Sequence, residues 1–141
     1  MNSFRVDTSL DMPPSRQIVA AVLDAVATGR YPAGTKLLSV RALAAEALVN
    51  PNTAARAYRE LEVLGVVTGR NGRGVFVTED GRAIARERRE RATLAAFARA
   101  AAVALRAGHD LDTLQDALTR EENHHVEGRS ADQAIQEKPG S

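Results

Sequence analysis

Amide, hydroxyl and guanidinium side chains are concentrated in one short segment, VNPNTAARAYRE, at residues 49–60. Asn can form two hydrogen bonds to adenine, and Arg can do the same to guanine or can pair with phosphate. Backbone N–H groups at the start of a helix also favour anions. Groups of this kind recognise nucleic acid. The candidate contact residues in the segment are Asn50, Asn52, Thr53, Arg56 and Arg59.

The same segment predicts the helix that presents these groups. Asn50 is a favourable N-cap, and Pro51 fits the first helical position, where its missing N–H does no harm. At helical spacing the polar residues Asn52, Arg56 and Arg59 lie opposite an apolar stripe. The stripe consists of Ala54, Ala57, Tyr58, Leu61 and Leu64. Helix capping alone explains Asn50 as well as a contact with nucleic acid does. Asn52 and Arg56 point away from the predicted core, which favours a contact role for them.

Two shorter helices are predicted before this one. Ile18, Val22 and Val26 recur at helical spacing in SRQIVAAVLDAVATG, and Gly29 supplies a left-handed stop. Ser39 is a good N-cap for VRALAAEAL. The tight connection between the second and third helices predicts a helix-turn-helix. An ordinary helical hairpin within an all-α core fits these two helices equally well.

A glycine-rich hairpin is predicted directly after the third helix. The segment VVTGRNGRGVFV has two β-rich runs, Val66–Thr68 and Val75–Val77, on either side of a turn. Arg70, Gly72 and Arg73 lie in that turn, where glycine lets the backbone approach a phosphate or a groove floor closely. A plain surface hairpin is the alternative, but the helix-turn-helix just upstream favours the wing of a winged helix.

Two further amphipathic helices are predicted beyond the hairpin. The first runs from about Asp80 to Ala107, and the second begins at Asp110. Their apolar faces need a surface to cover, and a partner subunit is the simplest one. Packing against the same chain's first domain is the alternative. The residues predicted to form the dimer contact are Leu94, Phe97, Ala101, Leu105, Leu111, Leu114 and Leu118.

Composition and missing motifs argue against several other classes. Without cysteine the chain has no disulfide framework or thiolate zinc site, and the adjacent His124 and His125 lack metal-ligand spacing. No phosphate-binding loop, HExxH or GxSxG motif occurs, so we expect no catalytic residue, no cofactor and no metal. The absence of an apolar run of about 20 residues predicts a cytoplasmic protein without a membrane partner. The arginines of RAIARERRERA alternate with Glu87 and Glu90, which predicts an ion-paired, solvated helix face.

The chain from PSRQIVAAVLDAVATGRYPAGTKLLSVRALA through VNPNTAARAYRELEVLGVVTGRNGRGVFV resembles the winged-helix DNA-binding domain of the GntR family of bacterial transcription regulators. The resemblance covers about residues 10–78. It implies an α+β winged helix-turn-helix domain at residues 1–78 and an all-α dimerisation region at residues 79–127. The polar composition of residues 128–141 predicts a disordered tail. The DNA contacts that the resemblance implies are Arg41, Asn50, Asn52, Thr53, Arg56, Gly72 and Arg73. Where Ala55 stands, family members often have a basic residue, so one phosphate contact is absent.

The small number of residues after Val77, together with FRVDTSLDMPPSRQIV and VNPNT, resembles the YtrA subfamily. This resemblance implies a homodimer that binds a palindromic operator in double-stranded DNA, a repressor role and control of a transporter operon. A small-molecule effector would have to bind in the C-terminal helices or at a dimer cleft. A winged helix that contacts only protein or RNA shares the fold and remains the alternative.

Overall fold

The computed structural model describes the backbone of residues 4–136 and the side chains of residues 4–129. The elements, in chain order, are α1 (Pro14–Ala27), α2 (Val40–Ala47), α3 (Pro51–Leu64), β1 (Val67–Arg70), β2 (Gly74–Val77), α4 (Gly81–Arg106) and α5 (Leu111–Gln136). This order confirms the predicted α+β winged helix-turn-helix followed by C-terminal helices.

Local capping explains where α2 and α3 start and stop. The Ser39 hydroxyl accepts a hydrogen bond from the Ala42 N–H, and Asn50 Oδ1 accepts one from the Asn52 N–H, at 3.1 and 2.8 Å. Gly65 ends α3 in the left-handed region, at φ 86°. Leu48 is also left-handed, at φ 56°, which is unusual for a residue with a side chain. This strained residue makes the turn between α2 and α3.

The wing, residues 67–77, is an antiparallel hairpin in which Val67 pairs with Val77. A third segment adds to it, because Lys36 forms an isolated bridge with Phe76. The Leu37 N–H donates to the Val75 carbonyl at 2.9 Å. The chain just before α2 is therefore hydrogen bonded to the wing, which anchors one side of the hairpin.

The hydrophobic core lies between α1, α2, α3 and the base of the wing. Its small apolar side chains follow the helical and strand periodicities seen in the sequence, and burying each large one contributes roughly 1.5–3 kcal/mol. The largest fully buried side chains are Ile18, Val26, Leu43, Leu61 and Val66. The predicted stripe of α3 is buried except for Leu64, which is half-buried. The polar face of α3 is thus left to solvent.

The chain divides into two compact units, one ending at Thr93 and the other beginning at Leu94. The first half of α4 belongs to the first unit, since Ala85 is fully buried there. Arg89 Nε also lies 3.0 Å from Asp24 Oδ1 of α1. These contacts place the division further along the chain than the predicted boundary after residue 78.

The predicted disordered tail differs from the structure over part of its length. Helix α5 continues through Gly128 to Gln136, and the rest of the predicted tail, residues 137–141, lies outside the described residues. A single glycine costs a helix only about 1 kcal/mol relative to alanine. The neighbouring polar residues are good helix formers, so Gly128 does not end the helix.

Candidate nucleic-acid interface

Helix α3 presents polar groups on one side because its apolar side packs into the hydrophobic core. Ala54 and Leu61 are 0% exposed, whereas Asn52, Arg56 and Arg59 are exposed. Thr53 is half-buried, so only part of its side chain is available for contact. The helix offers an amide and two guanidinium groups that no packing requirement explains.

Asn50 has two roles open to it at the start of α3. Its Oδ1 atom is used by the cap, which satisfies the Asn52 N–H. Its amide nitrogen makes no hydrogen bond among the described residues, and the residue as a whole is exposed. Capping and ligand contact are therefore compatible, because they use different atoms of the same side chain.

Helix α3 is joined to the segment that precedes α2 by a residue that the sequence pattern marked only as apolar. The Tyr58 hydroxyl donates to the Leu38 carbonyl at 2.6 Å, although the ring itself is buried. Burial raises the pKa of Tyr58 well above its usual range, and neighbouring Tyr31 adds to the effect. The hydroxyl thus stays protonated and keeps donating. No local sequence pattern reveals this contact, because the two residues are 20 positions apart.

The tip of the wing exposes Arg70, Gly72 and Arg73. Gly72 is left-handed, at φ 71°, and the Arg73 N–H donates to the Arg70 carbonyl at 3.0 Å to close the turn. The Arg70 guanidinium lies 5.5 Å from the centre of the Phe76 ring, a cation–π contact that holds it against the hairpin. Arg73 has no such partner among the described residues. It is the cation of the turn that is free to meet a ligand.

Two hydrogen bonds fix the wing relative to α3, and sequence reasoning missed both. Glu62 Oε1 accepts from the Gly69 N–H at 3.2 Å. The Thr78 hydroxyl donates to the Gly65 carbonyl at 2.6 Å. Because one contact lies along β1 and the other just beyond β2, they hold the wing at its base and partway along its length.

Lys36 is a further cation at the wing that the sequence did not single out. It is exposed, and its Cε atom lies close to Gly74, where an added Cβ would be 2.9 Å away. Gly74 has a positive φ of 116°, which glycine adopts without strain. Its lack of a side chain also leaves room for the aliphatic part of Lys36. The bridge to Phe76 brings Lys36 here, and no local pattern could have indicated it.

Most of the candidate cations are unpaired. Within the described residues, the arginines that form no ion pair include Arg41, Arg56, Arg59 and Arg73. In contrast, Arg91 in α4 pairs with Glu87 at 2.8 Å, as predicted from the alternating charges. Unpaired, exposed guanidinium groups on α2, α3 and the wing are available for an anionic partner.

The start of α1 lies beside the recognition surface, which the sequence did not indicate. Pro13, Pro14 and Ser15 line a cleft of about 210 Å³ together with Asn52, Thr53 and Arg56 of α3. The polar groups at the start of α3 therefore open onto a depression rather than a flat surface.

The predicted dimer residues lie in the second unit and are largely uncovered. Leu94, Phe97, Leu105, Leu111 and Leu118 are all more than half exposed. Ala101 and Leu114 are half-buried. These large apolar side chains are therefore exposed to solvent in the described chain.

The described residues hold no group of three or more His, Cys, Asp or Glu side chains placed to bind a metal ion. Among the same residues, none of the helices has the length and apolar character needed to cross a bilayer.

A helix-turn-helix with an exposed polar recognition face, followed by a basic two-stranded wing, defines a winged-helix DNA-binding domain. The profile of the family described as "Bacterial regulatory proteins, gntR family" matches residues 14–77. The chain belongs to the GntR family. This assignment confirms the resemblance seen in the sequence.

Known relatives share this domain. An HTH-type transcriptional regulator from Mycobacterium tuberculosis is 43% identical over 75 residues, which cover 53% of this chain and 62% of that protein. The transcriptional repressor YtrA from Bacillus subtilis is 34% identical over 79 residues, covering 56% and 61%. These alignments span about three fifths of the length of either relative. A solved GntR family regulator from Listeria monocytogenes is 33% identical with a TM-score of 0.66, and the match covers 82% of this chain and 98% of that one.

Proposed function

We propose that this protein is a cytoplasmic transcription regulator that binds a palindromic operator as a homodimer and represses transcription without catalysing a reaction. One observation carries the proposal: Asn52 and Arg56 are exposed on a helix whose opposite face packs into the core. In a winged helix, this end of the recognition helix enters the major groove. An amide and a guanidinium group there match the base edges of adenine and guanine.

The remaining polar groups are assigned to positioning. Arg41, Arg59 and Arg73 are exposed and unpaired among the described residues, which suits contact with phosphates. The wing tip, with its left-handed Gly72, lies along the backbone or the minor groove. Phosphate contacts set affinity and orientation, whereas Asn52 and Arg56 read sequence.

Dimerisation is assigned to the second unit. Its exposed apolar side chains, including Phe97 and Leu105, would be covered by the same helices of a partner subunit. A symmetric dimer presents two recognition helices to two half-sites, one or more helical turns apart. The repressor role is supported by the similarity to the repressor YtrA, and control of a transporter operon follows from the resemblance to that subfamily.

Selection from a randomised duplex library tests the proposal. The 141-residue chain should enrich a palindromic sequence at moderate salt. Arg56→Ala should then weaken binding to the selected duplex by about 1–3 kcal/mol, because one base contact is lost. Arg73→Ala should lower the slope of log K against log salt by roughly one unit, because one phosphate contact is lost.

Arg30→Ala is the matched control. Arg30 is exposed and follows the C-terminal end of α1, whereas the cleft beside α3 is formed by the N-terminal end of α1. The Arg30→Ala substitution also removes one positive charge, but it should leave the binding free energy and the salt slope unchanged. If the library yields no enriched sequence, and Arg56→Ala, Arg73→Ala and Arg30→Ala all bind DNA alike, a module that contacts protein or RNA becomes the better explanation.

A further inference from the structure

The arm, residues 4–12, is an ordered segment rather than a loose terminus. Phe4 and Val6 pack against the hydrophobic core. Gln17 of α1 is only 8% exposed, and both its amide oxygen and its amide nitrogen form hydrogen bonds with the arm. Its Nε2 donates to the Asp7 and Met12 carbonyls at 2.9 and 3.0 Å, and its Oε1 accepts from the Asp7 N–H at 2.8 Å. A buried amide with all three bonds directed at one segment fixes that segment's path.

A second contact stabilises the bend of the arm. Asp7 Oδ1 accepts from both the N–H and the hydroxyl of Ser9, at 2.9 and 2.6 Å. These bonds lower the pKa of Asp7, the side-chain bond having the larger effect. The carboxylate of the arm is thus held within its own turn.

This path brings the arm to the start of the recognition helix. Arg5 and Thr8 line a cleft of about 330 Å³ together with Asn50 and Thr53 of α3. Among the described residues that line this cleft, Arg5 carries the charge, and the others are apolar or neutral polar. Arg5 is exposed and forms no ion pair with the described residues. An arginine that forms no ion pair with the described residues therefore lines the cleft at the N-terminus of α3.

We propose that Arg5 binds a phosphate of the operator beside the recognition helix, and that Gln17 is the positioning residue that holds it there. The inference rests on the proposed DNA-binding function and extends the contact surface to a segment outside the helix-turn-helix and the wing. Phosphates flank the groove that a recognition helix enters, so a cation next to Asn50 meets backbone rather than a base. Arg5 adds affinity and not sequence preference.

The test is the salt dependence of binding to the duplex enriched from a randomised library, measured with the 141-residue chain. One phosphate contact contributes about 0.9 to the slope of log K against log salt. Between 50 and 200 mM salt, the parent should therefore lose about 3.5-fold more affinity than Arg5→Ala. Arg5→Lys should keep the parent slope because it keeps the charge, and Arg30→Ala serves as the control for a general loss of charge.

Gln17→Leu tests the positioning role while nearly preserving volume. It should lower the slope by the same amount as Arg5→Ala, and the double variant should show no further decrease, because both changes remove one contact. Circular dichroism at the assay temperature confirms that this variant is folded. A purely structural role for Gln17 would leave its slope at the parent value, and this outcome would overturn the positioning assignment.

The proposal for Arg5 fails if Arg5→Ala has the parent slope or matches Arg30→Ala while Arg56→Ala still weakens binding. In that case the DNA-binding function stands without the arm. If the parent itself enriches no duplex, the proposed function fails, and the arm proposal fails with it.

Discussion

The hydrogen bond from Tyr58 to Leu38 gives a stringent test of how the recognition helix is held. Tyr58→Phe removes only the hydroxyl, so the ring still fills its place in the core and no side-chain cavity forms. The lost bond spans 2.6 Å and joins α3 to Leu38, two residues before the start of α2. A hydrogen bond contributes about 0.5–1.5 kcal/mol net, and an acceptor left without a partner can cost about 1–3 kcal/mol. Because Leu38 is half-buried, water replaces the hydroxyl in part, and we expect a loss of about 1–2 kcal/mol.

Urea unfolding followed by circular dichroism at neutral pH measures this loss. Tyr31→Phe is the matched control, since it makes the same chemical change at a half-buried tyrosine whose hydroxyl forms no hydrogen bond within the described residues. The control should change the free energy of unfolding by less than about 0.5 kcal/mol. An equal effect of the two substitutions would refute the role assigned to the Tyr58 hydroxyl.

The pH dependence adds an independent readout for the same residue. Burial raises the pKa of Tyr58 in the folded state above its unfolded value of about 10. Above that pH the unfolded chain loses the phenol proton while the folded chain keeps it, so the free energy of unfolding falls as pH rises. The slope reaches at most about 1.4 kcal/mol per pH unit for one proton. Tyr58→Phe should show a shallower fall above pH 10, and an unchanged slope would contradict the protonated, buried hydroxyl.

Two further predictions concern α4 and the second unit. Gly81→Ala should destabilise the protein by about 1–3 kcal/mol, because the added Cβ would lie 2.8 Å from the Val66 carbonyl oxygen. The Cβ added by Gly128→Ala would meet nothing within 4 Å, so this substitution should instead stabilise the protein by up to about 1 kcal/mol. Thermal unfolding compares the two variants. An unchanged stability of Gly81→Ala would show that the contact with the Val66 carbonyl oxygen is not tight. Phe97→Glu should give a monomeric mass in sedimentation at micromolar concentration, whereas Val63→Glu, which charges an exposed residue of α3, should leave the dimer intact. A monomeric parent would overturn the dimer assignment.

The helix boundaries could be predicted because their signals are local. Ser39 and Asn50 cap helices through atoms within three residues, and Pro51 occupies the first position of α3, as predicted. The wing was also predictable, although its strands reach closer to the tip than the β-rich runs alone indicated. Arg70 and Gly74 are paired in the register, since backbone hydrogen bonds do not require β-branched side chains.

The contacts between distant residues could not be predicted in the same way. In the sequence, Gln17 is indistinguishable from other polar residues of a helical pattern. In the structure it is buried and forms hydrogen bonds with the backbone N–H and carbonyl of Asp7. The left-handed Leu48 is unpredicted because a glycine or asparagine is the usual signal for that conformation. Lys36 reaches the wing through a bridge formed by the fold. The roles of the predicted DNA-contacting residues stay predictions, because exposure shows availability and not contact.

The ratio of affinities for the library-selected duplex and for a scrambled duplex of equal length, at physiological salt, tests the central claim most directly. A sequence-specific regulator should prefer the selected duplex by about 10³-fold or more. Arg56→Ala should reduce that ratio by about 5- to 150-fold, because it removes a base contact and leaves the phosphate contacts in place. A parent ratio near one, or a ratio that Arg56→Ala does not change, would contradict base recognition by α3.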